Sequence, residues 1–442
     1  MSIELLTILF FGALMVSLVM GLPLAFTLGG VSMIFLLFTW GTGSFFMIAA
    51  QTWGNMNKFV LLAIPLFVFM AMILERSGVA NDLYDMMHLW FGRVGGGLAI
   101  GTVIICAIFS AMCGISGAAV VSMGTIALPS MLKRNYDKEL ALGCINSGGG
   151  WGILIPPSII MIIYSLLSGE SVGKLFAGGV LPGLLLLCLV STYIAVRCVI
   201  QPHLGPALPP EERGDFRAKM RALKAVLLPI IIVLMVLGSI VFGVTTPTEA
   251  AAMGVLGALI SAAVYRTLSW TMVKEAALRT INLTGMIMWI LFGAYCFSSA
   301  YHSMGAEHLV TDLMAYIPGG KWGTIVFINL VIFVLAMLLD PAGIMMITVP
   351  VFLPVIKALG FDPLWFGIIF VIQMEIGYMT PPFGFNLFYL KGIVPPGITM
   401  ADIYRSVIPY TMVELTGMII IIIFPQIAVW LPTLLLGSST GG

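Results

Sequence analysis

Gly152–Tyr164 reads GILIPPSIIMIIY, and Gly377–Tyr389 reads GYMTPPFGFNLFY. Both fit G-x-x-x-P-P-x-x-x-x-x-x-Y, and both lie inside long apolar runs. Adjacent prolines remove backbone donors and free carbonyls one turn earlier, so each run predicts a helix that stops and restarts. At membrane depth a break of this kind is tolerated only where protein or a wet cavity covers it. The two stretches therefore predict broken transmembrane helices with something built between them.

The rest of the chain fits that solvent. Of its 442 residues, 60% are hydrophobic and 9% charged, against about 25% charged in a soluble domain. Apolar stretches near the length of a bilayer core recur, among them Ala225–Phe242, Ile281–Ala300 and Leu415–Leu431. These features predict an all-α polytopic membrane protein, because a β-barrel would show short alternating segments instead. The first run, Leu5–Leu22, lacks a basic start and is too long for a cleaved signal peptide. A net charge of +1 carries no message about partners and gives no ground for nucleic acid. Six cysteines stand singly with no C-x-x-C, as small buried hydrophobes do.

The two Pro-Pro pairs are 225 residues apart, and that offset recurs along the chain. It pairs Gly95 with Gly320, Leu128-Pro129 with Leu353-Pro354, Asp137 with Asp362, and Tyr164 with Tyr389. The predicted organisation is a first repeat over 1–200, a linker over 201–224 and a second repeat over 225–442. Spans are expected near 4–21, 24–39 and 59–75, then an interfacial helix at 80–92. A re-entrant hairpin over 95–132, a broken helix over 137–168 and a span at 176–197 complete the first half. The second half repeats this order with 225–243, 248–264, 282–304, an interfacial piece at 305–316, a hairpin over 322–357, a broken helix over 363–393 and a span at 405–431. Thr246-Pro247-Thr248-Glu249 reads as a capping box with proline at the first helical position.

Each half then crosses about five times, and an odd number inverts one half relative to the other. With the N-terminus outside, sixteen of the twenty Lys and Arg residues fall inside, Arg213 in the linker among them. Lys58, Lys174, Lys321 and Lys357 fall outside. This is a strong positive-inside bias, and it makes the linker cytoplasmic.

Inverted repeats with discontinuous helices mark secondary transporters whose sites lie near the midplane. Freed carbonyls suit Na⁺, and restarting helix N-termini suit a carboxylate. Small and polar residues surround each break: Asn146-Ser147-Gly148-Gly149-Gly150 before the first, and Glu375, Gly377, Thr380 and Asn386 about the second. The hairpin tips are Ser110 with Cys113-Gly114-Ile115-Ser116-Gly117, and Asp340-Pro341-Ala342-Gly343. Such tips are expected to face the breaks, with the substrate region between them near Ser116, Asp340 and Asn386. Gly-Pro kinks also serve plain helix packing, and Asp340 also suits a helix cap. Gly169–Lys174 (GESVGK) fails as a phosphate loop, since it is one residue short and Leu175 replaces the needed Ser or Thr. The four histidines do not cluster, and no constellation for catalysis or for a metal other than Na⁺ is legible.

Ser110–Pro129, Gly152–Tyr164, Ser171–Gly183, Thr245–Gly254 and Asp340–Tyr389 together resemble the large membrane subunit (DctM-like) of tripartite ATP-independent periplasmic (TRAP) transporters. The resemblance runs along essentially the whole chain. It implies an elevator-type carrier of the ion transporter superfamily, with scaffold and transport domains, in a bacterial or archaeal cytoplasmic (inner) membrane. It implies Na⁺ as coupling ion, no organic cofactor, a small four-helix membrane subunit (DctQ-like), and a periplasmic solute-binding protein (DctP-like) that delivers an organic acid. By the same resemblance one Na⁺ site would use Ser110, Cys113, Gly152, Ile155 and Pro156, largely through backbone carbonyls. The other would use Ala336, Gly377, Thr380 and Phe383, with Asp340 nearby. Cys113 stands where many relatives carry Ser or Asn, and a thiol is a poor Na⁺ ligand, which leaves its carbonyl as the donor. The alternative reading is a self-sufficient Na⁺/dicarboxylate symporter. C4-dicarboxylates, sialic acids, other sugar acids, keto acids and ectoine-like compounds are all open as substrates.

Overall fold

The computed structural model describes residues 2–114, 116–209 and 215–437. Ile115 at the first hairpin tip and residues 210–214 of the linker, Arg213 included, lie outside the described residues. The first half holds α1 (Ile3–Val19), α2 (Leu24–Trp40), α3 (Gly43–Met56), α4 (Ala63–Arg76), α5 (Val79–Phe91), α6 (Gly97–Cys113), α7 (Ser116–Lys133), α8 (Lys138–Gly150), α9 (Ile159–Ser168) and α10 (Val172–Ile200). The second holds α11 (Phe216–Val241), α12 (Pro247–Val264), α13 (Trp270–Ser303), α14 (Ala306–Ala315), α15 (Gly320–Ala336), α16 (Pro341–Ala358), α17 (Pro363–Met379), α18 (Phe385–Lys391), α19 (Met400–Ile423) and α20 (Gln426–Leu436). Among the described residues seven helices are long and apolar enough to cross a bilayer, and α14 with α15 forms a further pair bent by 120°.

Local chemistry sets the helix ends. The capping box at Thr246 and Glu249 is present, and a second one joins Thr399 to Asp402 at the start of α19. Asp137 and Asp362, paired by the sequence offset, are both N-caps: Asp137 accepts from the Glu139 and Leu140 amides, Asp362 from that of Leu364. The helices themselves recur at that spacing. α7 and α16 differ by 225 at both ends, since 341 − 116 and 358 − 133 give the same number, and α8 and α17 start 225 apart. Three features differ from the sequence expectation. α3 was not anticipated, because Gln51, Thr52 and Asn55 dilute its apolar pattern. The span expected at 405–431 is two helices, since Pro425 follows the end of α19 and removes a donor. α11 begins at Phe216, inside the expected linker.

The helices pack as two groups. α2 lies on α13, α4 on α12 and α5 on α11 in one; α8 is enclosed by α6, α7 and α19, and α17 lies between α15 and α19, in the other. Each group draws equivalent helices from both halves. Side-chain contacts also fix direction within the second group. Lys138 at the start of α8 meets Asp402 at the start of α19 (2.7 Å), and Ser147 near its end meets Glu414 (2.5 Å), so α8 runs with α19. Trp365 at the start of α17 reaches the Ile421 carbonyl near the end of α19 (3.2 Å), while Glu375 faces Glu414, so α17 runs against it. The two equivalent broken helices therefore enter from opposite ends.

Three consecutive glycines let α8 sit this deeply. A Cβ at Gly148 would lie 2.8 Å from Cys106 Cβ on α6. One at Gly149 would lie 2.4 Å from Val120 on α7, and one at Gly150 2.7 Å from Glu375 Oε1 on α17. No larger residue fits three contacts on three sides.

Candidate functional site

α8 ends in a short 3₁₀ turn, Trp151–Ile153, and the chain restarts as α9 after Pro156-Pro157. Its counterpart α17 ends at Met379 and restarts as α18 after Pro381-Pro382; both Pro-Pro peptide bonds are cis. Ser158 caps α9 by accepting from the Met161 amide (3.3 Å) and donates to the Ile153 carbonyl, so part of the freed backbone is satisfied locally.

The hairpin tips do meet the breaks. Gly114, in a left-handed conformation (φ 63°), ends α6, and a Cβ there would come within 2.5 Å of the Pro157 carbonyl oxygen. Ser110, Cys113, Gly152 and Pro156 are buried about this contact, and Ile155 is half-buried against Gly183. The Ser110 hydroxyl has no hydrogen-bond partner. At the second break a Cβ on Gly377 would lie 2.3 Å from Ala336 Cβ and 3.0 Å from its carbonyl oxygen. Thr380 donates to the Ile376 carbonyl (2.6 Å), and its own amide bonds the Gly377 carbonyl (3.1 Å). The Phe383 side chain is 54% exposed. Asp340 is the N-cap of α16, accepting from the Gly343 amide (3.2 Å).

A cavity of about 650 Å³ near Arg197 and one of about 660 Å³ near Trp430 lie away from both breaks. Between the tips lies a third, of about 410 Å³. Ser116, Ile159 and Pro341, the first residues of α7, α9 and α16, all line it. Three helix N-termini thus open onto one space, where backbone amides and dipole ends favour an anion. Its walls are mostly apolar, with isoleucine the commonest residue, and among the described residues Asp340 is the one charged residue in the lining. The walls also carry the duplication: Ser116 and Pro341, Gly117 and Ala342, Ile153 and Tyr378, and Ile160 and Phe385 are each 225 residues apart. Ser116 donates to Asn386 Oδ1 (2.6 Å), joining the first hairpin tip to the half-helix after the second break. The three residues expected in the substrate region divide here: Ser116 and Asp340 line the cavity, and Asn386 supports it from behind.

Sequence reasoning passed over Glu414. It lies fully buried in α19 opposite Glu375, and a lone acid in the middle of an apolar span was the available signal.

Comparison with known proteins agrees with this architecture. The family model of the DctM component of the tripartite ATP-independent periplasmic transporter matches residues 11–427. The C4-dicarboxylate TRAP transporter large permease protein DctM of Vibrio cholerae is 33% identical over 99% of both chains. The ectoine TRAP transporter large permease protein TeaC of Halomonas elongata is 31% identical over 94% of this chain and 96% of its own. The sialic acid TRAP transporter large permease protein SiaM of Vibrio cholerae is 29% identical over the same shares. The fold is shared with the YdaH transporter of Alcanivorax borkumensis (TM-score 0.59, 17% identity, 89% of this chain and 90% of that one). It is also shared with MtrF of Neisseria gonorrhoeae (TM-score 0.61, 12% identity, 89% and 85%). Broken helices, re-entrant hairpins and family match agree: this multi-pass inner-membrane chain belongs to the large permease (DctM) component of the TRAP transporters, a family of secondary transporters for organic acids.

Proposed function

We propose that this chain is the transport subunit of a Na⁺-coupled, binding-protein-dependent uptake system for an organic acid. The observation that carries this reading is the convergence of three helix N-termini on one cavity between the hairpin tips. That arrangement receives a carboxylate without a fixed cationic side chain. A volume of about 410 Å³ suits a small organic acid. Na⁺ is held at each tip where hairpin and break carbonyls meet: Ser110, Cys113, Gly152, Ile155 and Pro156 on one side, Ala336, Gly377, Thr380 and Phe383 on the other. The residue ranges 1–200 and 225–442 are inverted repeats joined by the cytoplasmic linker. The group holding α8 and α17 moves as an elevator against the group holding α2 and α13. A small membrane subunit and a periplasmic binding protein complete the system.

Reconstitution tests this. Uptake into proteoliposomes is measured with this chain, a small-subunit partner and a binding protein, each omitted in turn. Transport that survives without the binding protein sinks the tripartite reading, and transport indifferent to collapse of the Na⁺ gradient sinks the coupling.

A further inference from the structure

We propose that Glu375, Glu414 and Asn146 form a cation site in the core between α8, α17 and α19, separate from the hairpin tips. All three side chains are fully buried. Both oxygens of Glu375, Oε2 of Glu414 and both polar atoms of Asn146 lack a hydrogen-bond partner. Buried polar atoms are almost always paired, so a cluster of orphans around one point calls for a ligand. The two carboxyl groups face each other. Asn146 sits one turn before Gly150 on the same face of α8, and Gly150 is the residue against which Glu375 Oε1 rests. Asn146 therefore lies on the α8 face that carries Gly150 toward Glu375, next in sequence to the Ser147 that meets Glu414.

The shell around them orients Glu414. Ser147 donates to its Oε1 (2.5 Å), and the indole N–H of Trp151, itself without a partner, faces the same carboxylate. Ser147 thus gives Glu414 a donor that Glu375 lacks. Among the described residues, no Lys, Arg or His acts on either carboxyl. Tyr193 and Arg197 of α10 meet Tyr410, one turn away. Lys321 lies over the Phe361 ring, and Lys391 bonds the Ile398 carbonyl. Buried anions without a counter-ion are strongly disfavoured. A hard monovalent cation with oxygen ligands supplies one unit of the missing positive charge, and it also fastens α8 to α17, the two helices that carry the breaks. The site stands whether or not the hairpin tips hold Na⁺.

The test is equilibrium binding of radiolabelled Na⁺ to the purified full-length chain at fixed pH. Glu375→Gln and Glu414→Gln are each expected to lose the same single ion, and the double variant no more than either. Ser147→Ala, which removes a group orienting Glu414 and no proposed ligand, is expected to weaken that ion by roughly 10- to 100-fold. Gly12→Ala, in α1 and outside every proposed site, is expected to leave Na⁺ binding unchanged. Unchanged Na⁺ binding in both Glu→Gln variants overturns the site. Should those variants not fold, the infrared difference spectrum of the native chain with and without Na⁺ decides. A carboxylate-band shift on adding Na⁺ supports the site. A protonated-carboxyl band that persists in saturating Na⁺ overturns it, because a proton then holds the pair.

Discussion

The Ser116 hydroxyl donates a 2.6 Å hydrogen bond to Asn386 Oδ1 across 270 residues of sequence. It links the first hairpin tip to the half-helix restarting after the second break, and both residues are buried. The Asn386 amide nitrogen is left without a partner beside the cavity. Removing one member of a buried pair strands the other at a cost of about 1–3 kcal/mol. Ser116→Ala is therefore expected to lower uptake about tenfold, equivalent to about 1.4 kcal/mol, with little change in the amount of folded protein. Initial uptake rates per folded transporter are the measurement, and rates equal to the parent would remove Ser116 from the substrate region.

Of the four residues proposed to hold Na⁺ at the second tip, Thr380 alone brings a side-chain oxygen, since Ala336, Gly377 and Phe383 offer only backbone oxygen. Its proton is committed to the Ile376 carbonyl (2.6 Å), which leaves the lone pairs for a cation. Thr380→Val keeps the shape and removes the oxygen. The Na⁺ concentration for half-maximal uptake is expected to rise about tenfold, as for loss of a ligand worth about 1.4 kcal/mol. Thermal stability without Na⁺ should barely move. An equal loss of stability and of Na⁺ dependence would mean the threonine serves packing alone.

Close backbone approach at the tips is testable by adding a single methyl. Gly114→Ala and Gly377→Ala place a Cβ 2.5 Å from the Pro157 carbonyl oxygen and 2.3 Å from Ala336 Cβ. Overpacking of this kind costs about 1–3 kcal/mol, read as a lower thermal midpoint. Gly12, in α1, has nothing within 4 Å of the same position. Gly12→Ala is expected to be neutral or to stabilise by up to about 1 kcal/mol.

The duplicated tyrosines predict opposite outcomes. Tyr164 is buried against Gly367 and donates to the Pro363 carbonyl (2.6 Å), tying α9 to the start of α17. Tyr389 lies over Gly117 and lines the cavity. Tyr164→Phe is expected to cost about 1 kcal/mol of stability and to spare uptake. Tyr389→Ala is expected to spare stability and to alter uptake. Paired thermal-unfolding and transport measurements separate the two, and matching effects in both variants would contradict the assignment.

What was legible in the sequence came from residues whose chemistry is local. Proline and glycine mark breaks and close approaches wherever they fall, so GILIPPSIIMIIY and GYMTPPFGFNLFY announced both broken helices, and the offset announced the duplication. Asp137 and Asp362 were likewise readable as a pair because an N-cap depends on its own next few residues. Partnership across the fold was not readable. Nothing local links Ser147 to Glu414, 267 residues on, or tells that α8 needs three glycines because three helices crowd it. Glu414 was passed over for that reason, and the mostly apolar run over 405–431 hid the break at Pro425.

The divergence of Tyr164 and Tyr389 bears on how a ligand lies in the cavity. Four pairs of wall positions come from the same place in the two repeats. A chamber with strictly equivalent halves accepts a molecule head-first or tail-first with equal ease. Burying one tyrosine between helices as a brace and leaving the other on the wall ends that equivalence. Under the proposed function, a lopsided acid would have a single heading in the chamber, and the end that enters first would be settled at binding.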